Sequence, residues 1–293
     1  MSASQHPLAR VRAFLSRHKA LRVALILAVL LILLILVLHP KGTKTFLVLG
    51  MDNYGSLDET GRSDVMMLAQ IDFTNSTIST VTFARDMIIK SAKGNDVKIN
   101  TIVRTSGEDA LVQALEQDFD LQIDGWFRVN FTTVIELVDA IGGAEVELTS
   151  KEASYIDRTI GAYPDSPLSE GLCHLNGAQA LCYARCRALD NDIGRGQRQN
   201  KLMAAMVQST RHMTAAKLMN VFESLKHAWR SSLSAGEQVK LLLDALWLRG
   251  VQVNQIGVPF EGYWRYGSDG IVIQTEQNVR LLHEALGLPE PAL

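Results

Sequence analysis

An uninterrupted apolar run near the N-terminus constrains the folding of this chain more than any other feature. Val23 to Leu38 contains no polar residue. Ala20 and Leu21 extend the run if Arg22 turns its guanidinium toward the membrane surface. The extended run approaches the length of about 17–25 residues that a helix needs to cross a bilayer. The sequence therefore predicts a transmembrane anchor over residues 21–39.

The charges around this run predict its orientation. The first acidic residue of the chain is Asp52, whereas the basic residues before it include Arg10, Arg12, Arg17, Lys19 and Arg22. By the positive-inside rule, residues 1–20 form a short cytoplasmic tail and the chain after His39 is exported. A cleaved signal peptide is the alternative, but residues 38–43 contain no small-x-small cleavage site. We expect a single-pass membrane protein with a linker at 40–44 and an extracytoplasmic domain at 45–293.

The composition and charge of the chain argue against nucleic acid as a binding partner. The chain has 293 residues and a net charge of -2, so no overall positive field favours nucleic acid. The short basic tail has no room for a DNA-binding fold. We therefore expect the membrane as a partner and no nucleic acid.

Three cysteines fall within a short stretch, at Cys173, Cys182 and Cys186. Their spacing resembles no zinc site, and no histidine pair accompanies them. In an exported domain one disulfide is plausible, with Cys173–Cys182 as the preferred pairing, and three free thiols are an open alternative.

Hydrophobic patterns predict an α/β domain. Apolar and β-branched runs predict strands at Thr45–Gly50, Val65–Phe73, Thr77–Phe83, Ala144–Leu148 and Val251–Val258. Helical periodicity and caps predict helices at Gly107–Phe119, Phe131–Ala140, Lys151–Arg158, Leu175–Tyr183, Gly196–Arg211, Lys217–Trp229, Ala235–Leu248 and Thr275–Leu286. We expect a three-layer α/β/α sandwich, whose central sheet is mixed because it contains an antiparallel hairpin.

That hairpin predicts where several charged residues meet. If its turn centres near Asn75, Asp64 faces Asp86 and Val65 faces Arg85. Arg62 then lies at the same end of the hairpin, which we call the rim. Asp52 follows the first strand directly, so it joins this rim if that strand lies beside the hairpin.

Arginines and carboxylates recur in three clusters. These are Asp52 with Arg62-Ser63-Asp64, then Arg85-Asp86, then Arg185-Cys186-Arg187 followed by Arg195 and Arg198-Gln199. Guanidinium forks bind phosphate oxygens bidentately, and carboxylates join such a site through a hard cation. Each cluster alone is typical of surface ion pairs. Together they predict a site for a multiply charged phosphate ligand.

The same residues carry a resemblance to a known family. The runs LVLGMDNYGSLDETGRSDVMMLAQID, TFARD, KIN, HLNGAQALCYARCR and DNDIGRGQRQ resemble the LytR-CpsA-Psr family. The resemblance is strong over Thr45 to Met206 and looser beyond, through VPFEGYW and the last helix. One departure is Ala84, where the family commonly has proline.

This resemblance implies a membrane-anchored phosphotransferase of bacterial cell-wall assembly. Such enzymes use Mg²⁺ and move a glycopolymer, such as teichoic acid or capsule, from a polyprenyl-pyrophosphate carrier to peptidoglycan. It implies Mg²⁺ ligands at Asp52 and Asp64. It implies pyrophosphate contacts at Arg85, Arg185, Arg187 and Arg195, with Arg198 and Gln199 matching an arginine-glutamine pair.

Several assignments stay open at this stage. Lys98 is either a further phosphate contact or an edge-strand lysine. Asp86, Asp190 and Asp192 are candidate general bases on proximity, with Asp86 preferred. The apolar residues of 131–141 and of Leu202, Ala205 and Met206 form either core or a channel for an isoprenoid tail. Alternatives to the transferase are a regulatory module that binds prenyl phosphate, and a pyrophosphatase acting on the same lipid.

Overall fold

The computed structural model describes residues 40–52, 54, 57, 63–161, 167–186, 188–189, 192–248 and 251–292. The predicted anchor at 21–39 lies outside these residues, as do Arg62, Arg187 and Asp190. Within the described ranges, no helix has both the length and the apolar character needed to cross a membrane.

A mixed sheet forms the centre of the fold. The strands are β1 Thr43–Met51, β2 Ser63–Asp72, β3 Thr77–Phe83, β4 Met87–Lys90, β5 Asp96–Lys98, β6 Gly125–Val129, β7 Ala144–Leu148, β8 Gly171–Leu175, β9 Arg230–Ser231, β10 Gln252–Val258, β11 Trp264–Tyr266 and β12 Ile271–Ile273. Six of them build the central sheet in the order β10-β3-β2-β1-β6-β9. The pairs β1–β2 and β2–β3 are antiparallel, whereas β1–β6 and β3–β10 are parallel. The predicted mixed sheet is confirmed.

Helices cover both faces of this sheet. They are α1 Ile99–Ser106, α2 Glu108–Phe119, α3 Phe131–Ala140, α4 Ser150–Ile160, α5 Gly177–Arg185, α6 Asp192–Thr210, α7 Ala215–Leu225, α8 Ala235–Ala245 and α9 Thr275–Leu286. On one face, Leu47, Leu49 and Met66 pack in a core with residues of α1, α2 and α9. Helices α3, α5 and α6 lie over the opposite face, where they pack with α4, β7 and β8. The arrangement is the α/β architecture that the hydrophobic patterns predict.

The β2–β3 hairpin is shifted by one residue from the predicted register. Asp72 pairs with Thr77 and Met67 with Thr82, so the turn centre lies half a residue earlier than predicted. The Asp72 carboxylate causes this, because it accepts hydrogen bonds from the backbone N–H groups of Thr74 and Asn75 and closes the turn there. The predicted pairing of Asp64 with Asp86 was therefore wrong.

Several boundaries also differ from the prediction. The helix predicted from Leu175 begins at Gly177, because Leu175 ends β8 and the Asn176 side chain caps the helix by accepting from the Gln179 N–H. The elements β4, β5, β6 and α1 lie in stretches for which the sequence predicted no element. These are short segments, for which hydrophobic periodicity gives little signal.

The cysteines do not form the predicted disulfide. Cys173, Cys182 and Cys186 are all free thiols. The Cys173 thiol donates to the Ser169 carbonyl oxygen. Burial raises the pKa of the Cys182 thiol, which also interacts with Thr159. The Cys173–Cys182 disulfide is thus not formed, because the two thiols contact different neighbours, and the alternative of three free thiols is confirmed.

A glycine sets the distance between α3 and α5. Gly177, the first residue of α5, donates its N–H to the Asp139 carboxylate of α3 at 2.7 Å. A methyl group at Gly177 would overlap the Ile135 carbonyl oxygen and lie 2.8 Å from the Ile135 carbonyl carbon. Since α5 ends at Arg185, this close approach positions one of the arginines of the predicted phosphate site.

We expect Gly177→Ala to lower the free energy of unfolding by about 1–3 kcal/mol, because overpacking against backbone forces α3 and α5 apart. Gly236→Ala is the matched control, since Gly236 also lies in the first turn of a helix and has open space around its Cα. That control should raise the free energy of unfolding by roughly 0.4–1 kcal/mol. Urea unfolding of the detergent-solubilised chain, followed by circular dichroism, measures both. Equal effects of the two variants would contradict the steric argument.

Candidate functional site

Asp64 is contacted by arginines from both the N-terminal and the C-terminal part of the domain sequence. Arg85 Nη1 donates to Asp64 Oδ1 at 3.0 Å, and Arg195 Nη2 donates to the Asp64 backbone oxygen at 3.2 Å. The β2–β3 ladder ends at Met67 and Thr82, and Asp64 and Arg85 meet just beyond that end. The guanidinium groups and the carboxylate therefore share one rim of the sheet, as the three sequence clusters predict.

Arg185 is held at the same rim by two aromatic rings and a carboxylate. Its guanidinium carbon lies 3.9 Å from the Phe131 ring centroid and 6.0 Å from that of Tyr54. Its Nη1 donates to the Tyr54 hydroxyl at 3.2 Å, and its Nη2 lies 3.6 Å from Asp52 Oδ1. These stacking contacts fix the plane of the guanidinium while leaving its side chain 46% exposed. Sequence reasoning missed both rings, although Tyr54 lies two residues after Asp52.

Asp86 and Lys98 lie close to this cluster. Asp86 Oδ2 is 3.6 Å from Arg85 Nε. Lys98 ends β5 and precedes α1, and the N–H of Asn100 in that helix donates to the Arg85 carbonyl oxygen. Neither Asp86 nor Lys98 lines the cavities described below. Their predicted roles stay predictions, as do those of Arg62 and Arg187, which lie outside the described residues.

Arg198 does not face the cluster. Its side chain is 5% exposed, Nη2 donates to the Cys186 carbonyl oxygen at 2.6 Å, and Nη1 lies 3.7 Å from Glu152 Oε1. Arg195 and Gln199, four residues apart on α6, face the rim together, whereas Arg198 is turned into the packed side. The sequence groups Arg198 with Arg195 and Gln199 at the predicted phosphate site, but Arg198 does not line the cavity that the other two line. Its contacts instead hold the start of the segment that follows α5.

An apolar cavity opens behind the charged rim. It has a volume of about 260 Å³ and lies between the sheet and helices α3, α5 and α6. The apolar part of its lining includes Val48, Val65, Met67, Val134, Leu137, Leu181, Leu202, Met203 and Met206. The charged and polar part consists of Asp52, Asp64, Asn130, Thr133, Arg185, Arg195 and Gln199. One site thus combines an apolar chamber with a cluster of charges.

This cavity bears on one of the open alternatives. Leu137, Leu202 and Met206 line it. Val138, Ala205 and also Leu202 belong to the buried core formed with β7 and β8. The same helices therefore supply both core and cavity lining, and the isoprenoid tail stays a prediction. The sequence does not separate them because apolar residues serve in either place.

The donor atoms of the rim fit a hard cation. Asp52 and Asp64 both line the cavity, and carboxylate oxygens are the ligands that Mg²⁺ prefers. In the part of the chain that the structure describes, no group of three or more His, Cys, Asp or Glu side chains is arranged to hold a metal. Two carboxylates suit a cation that takes its other ligands from water and a bound phosphate.

The chain is similar in sequence to curated proteins of bacteria. The chain is 29% identical over 174 residues to a protein of Bacillus subtilis (strain 168) named polyisoprenyl-teichoic acid--peptidoglycan teichoic acid transferase TagV. That match covers 57% of this chain and 44% of the relative. The chain spans about half the length of the first curated relatives it matches.

Solved structures share the fold. One, described as TagT bound to LIIa-WTA, has a TM-score of 0.69 and 22% identity, and the match covers 85% of this chain and 92% of that one. Another is described as the LytR-CPS2A-psr family protein YwtF (TagT) with bound octaprenyl pyrophosphate lipid. It has a TM-score of 0.63 and 22% identity, with the same two coverages. The model of the LytR_cpsA_psr family matches residues 21–285, and the chain therefore belongs to the LytR_cpsA_psr family.

Proposed function

We propose that this protein is a transferase that moves a glycopolymer from a polyprenyl-pyrophosphate carrier onto peptidoglycan, outside the cytoplasm and beside the membrane. One observation carries the proposal: an apolar cavity ends at a cluster of arginines and carboxylates. A prenyl pyrophosphate has the same two parts, an apolar tail and a multiply charged head. The predicted anchor at 21–39 would hold the domain next to a membrane that contains such a lipid.

The apolar walls suit an isoprenoid tail. Branched and thioether side chains, among them Val134, Leu202 and Met203, face the cavity from α3 and α6. Burial of apolar surface favours binding by roughly 25 cal/mol per Å². Two features support this occupant: the shared fold with a structure that holds octaprenyl pyrophosphate, and the names of the curated relatives.

The charged rim suits the pyrophosphate. Arg85, Arg185 and Arg195 present guanidinium groups there, and each charge-assisted hydrogen bond contributes about 1.5–3 kcal/mol. In our proposal Asp52 and Asp64 hold Mg²⁺, which supplies neutralising positive charge to the phosphate oxygens when bound. Arg187 completes the set by family resemblance, and Arg62 by its predicted position at the same end of the hairpin.

The proposed reaction is a displacement at the phosphorus that carries the glycan. A peptidoglycan hydroxyl oxygen bonds to this phosphorus, and the bond from the phosphorus to the bridging oxygen breaks. The prenyl monophosphate leaves with that electron pair, and the hydroxyl proton passes through water to the Asp86 carboxylate, which lies beside Arg85, and then to solvent. Arg85 and Arg195 stabilise the charge that spreads over the phosphate oxygens.

We expect Asp64→Asn and Arg85→Ala each to lower the transfer rate by a factor of about 10²–10³, because each removes a fixed charge from the reacting phosphate. Transfer of a radiolabelled glycopolymer from its prenyl carrier to peptidoglycan, measured with the full chain in membranes, tests this. Matched controls are Asp96→Asn and Arg280→Ala, which change the same residue types in exposed ion pairs elsewhere. Both controls should retain transfer.

Product analysis separates this proposal from its alternatives. Labelled glycan on the wall polymer supports transfer, whereas free phosphorylated glycan as the sole product identifies a pyrophosphatase. A chain that binds prenyl pyrophosphate but never consumes labelled donor identifies a binding module. Retained transfer in both Asp64→Asn and Arg85→Ala would remove the assignment of the site.

Arg198 has a positioning role in this proposal, since its contacts hold the segment that leads to Arg187. We expect Arg198→Met to lower transfer by about 10–100-fold through loss of the bond to the Cys186 carbonyl. It should also destabilise the fold by about 3–5 kcal/mol, because the buried Glu152 loses its partner. Transfer assays and urea unfolding measure the two effects.

A second substitution separates position from stability. Glu152→Gln removes the buried charge and keeps a carbonyl oxygen for the α4 cap, so the Arg198→Met/Glu152→Gln variant should regain most of the lost stability. Its transfer rate should stay low because the contact with Cys186 is still missing. Recovery of transfer together with stability would show that Arg198 acts through stability alone.

A further inference from the structure

A second cavity lies on the other side of helix α6. It has a volume of about 760 Å³ and lies over β3 and β10, whereas the apolar cavity lies over β1 and β2. Gly196, Gln197, Asn200 and Lys201 of α6 line it. Arg195 lines both cavities, and Arg85 lines the second one while bonded to Asp64 of the first. The two cavities therefore meet at the charged cluster.

The second cavity carries polar side chains that the fold does not use. Among the described residues, the side chains of Gln197, Lys201, Gln255 and Glu261 have no hydrogen-bond or ion-pair partner. Asn200 differs, because it accepts from Thr82 Oγ1 at 2.7 Å and donates to the Ile256 carbonyl oxygen at 3.3 Å. Asn200 thus holds α6 to the sheet, and the other four groups remain available to a ligand.

Aromatic residues form one wall of this cavity. Phe260 and Trp264 line it, and the Trp264 ring meets Tyr266 edge to face, with centroids 5.0 Å apart. Tyr266 is 68% exposed. The buried Asn278 fixes the wall from behind, because its side chain accepts from the Phe260 N–H and donates to the Tyr263 carbonyl oxygen. The backbone that carries these aromatic residues is therefore held from behind.

We propose that this second cavity binds the acceptor, an aminosugar glycan strand rich in hydroxyl and acetamide groups. Sugar rings present C–H faces that pack on aromatic rings such as that of Trp264. Their hydroxyl and acetamide groups pair with amide, ammonium and carboxylate side chains, which Gln197, Lys201 and Glu261 supply. The polar part of the lining is larger here than in the apolar cavity, and an apolar tail would cost these polar groups their hydration.

The position of the cavity favours the acceptor over the glycan of the donor. This step rests on the proposed function. In phosphoryl transfer the attacking and leaving oxygens lie roughly in line through the phosphorus. With the prenyl tail in the apolar cavity, the leaving oxygen lies on the β1 side of Arg195, so the attacking hydroxyl approaches from the β10 side. The second cavity opens on that side.

Binding of a defined glycan to the full chain in detergent micelles tests the site. The probe is a peptide-free tetrasaccharide of alternating N-acetylglucosamine and N-acetylmuramic acid, followed by calorimetry. We expect Trp264→Ala to weaken binding about tenfold. Gln197→Ala and Lys201→Ala, on an exposed face of α6, should each weaken it about threefold without affecting the fold. Leu172→Ala, a 72% exposed residue of β8, is the control and should bind as the wild type does.

Kinetics of transfer distinguish acceptor from donor. The same variants should raise KM for the acceptor by similar factors and leave KM for the prenyl-linked donor unchanged. Equal affinity of all variants for the tetrasaccharide, or a change in the donor KM alone, would overturn the inference. Tetrasaccharide binding that depends on Trp264 in a chain that transfers no polymer supports the glycan site and removes only the proposed function.

Discussion

The attachment of helix α6 to the sheet is the constraint on which the rest of the site depends. Asn200 bonds to Thr82 of β3 and to the Ile256 carbonyl of β10, and both contacts are buried. Gly196 allows the close approach, because a methyl group there would lie 3.2 Å from the Thr82 methyl group. A helix fixed in this way divides the space above the sheet in two. It also carries Arg195 to the point where both halves meet.

The charged residues at the site fall into an exposed group and a buried group, which have different physical roles. Arg85 and Arg185 keep a quarter to a half of their side-chain surface in water, so they exchange contacts with a ligand at little cost in desolvation. Arg198 and Glu152 are buried, and breaking such a pair is far more costly than forming it is favourable. The buried pair therefore gives rigidity to α4 and α6, and the exposed arginines give the site its affinity for anions.

Sequence patterns predicted the parts of this protein that depend on local chemistry. The strand Thr77–Phe83 and the helix Phe131–Ala140 match the structure residue for residue, since periodicity and caps specify them. The hairpin register was wrong by one residue because a single side chain, Asp72, sets the turn. Arg198 was misplaced because three and four residues on a helix differ by about 100° in direction, and only tertiary packing selects one side. The run VPFEGYW was noted only as part of the family resemblance, and the second cavity was not predicted because its other polar groups come from a distant segment, α6.

The division of space by α6 also bears on the choice between transfer and hydrolysis. Both outcomes need the same activated pyrophosphate, so the nucleophile that reaches the phosphorus decides the product. Water is present at high concentration, and a hydroxyl competes with it only when binding holds the acceptor in place. An aromatic wall with polar groups that have no partner in the fold, beside Arg85 and Arg195, would offer such binding on the proposed side of attack. Under the proposed function, an acceptor bound in the second cavity would therefore exclude hydrolysis without any special feature of the phosphate site.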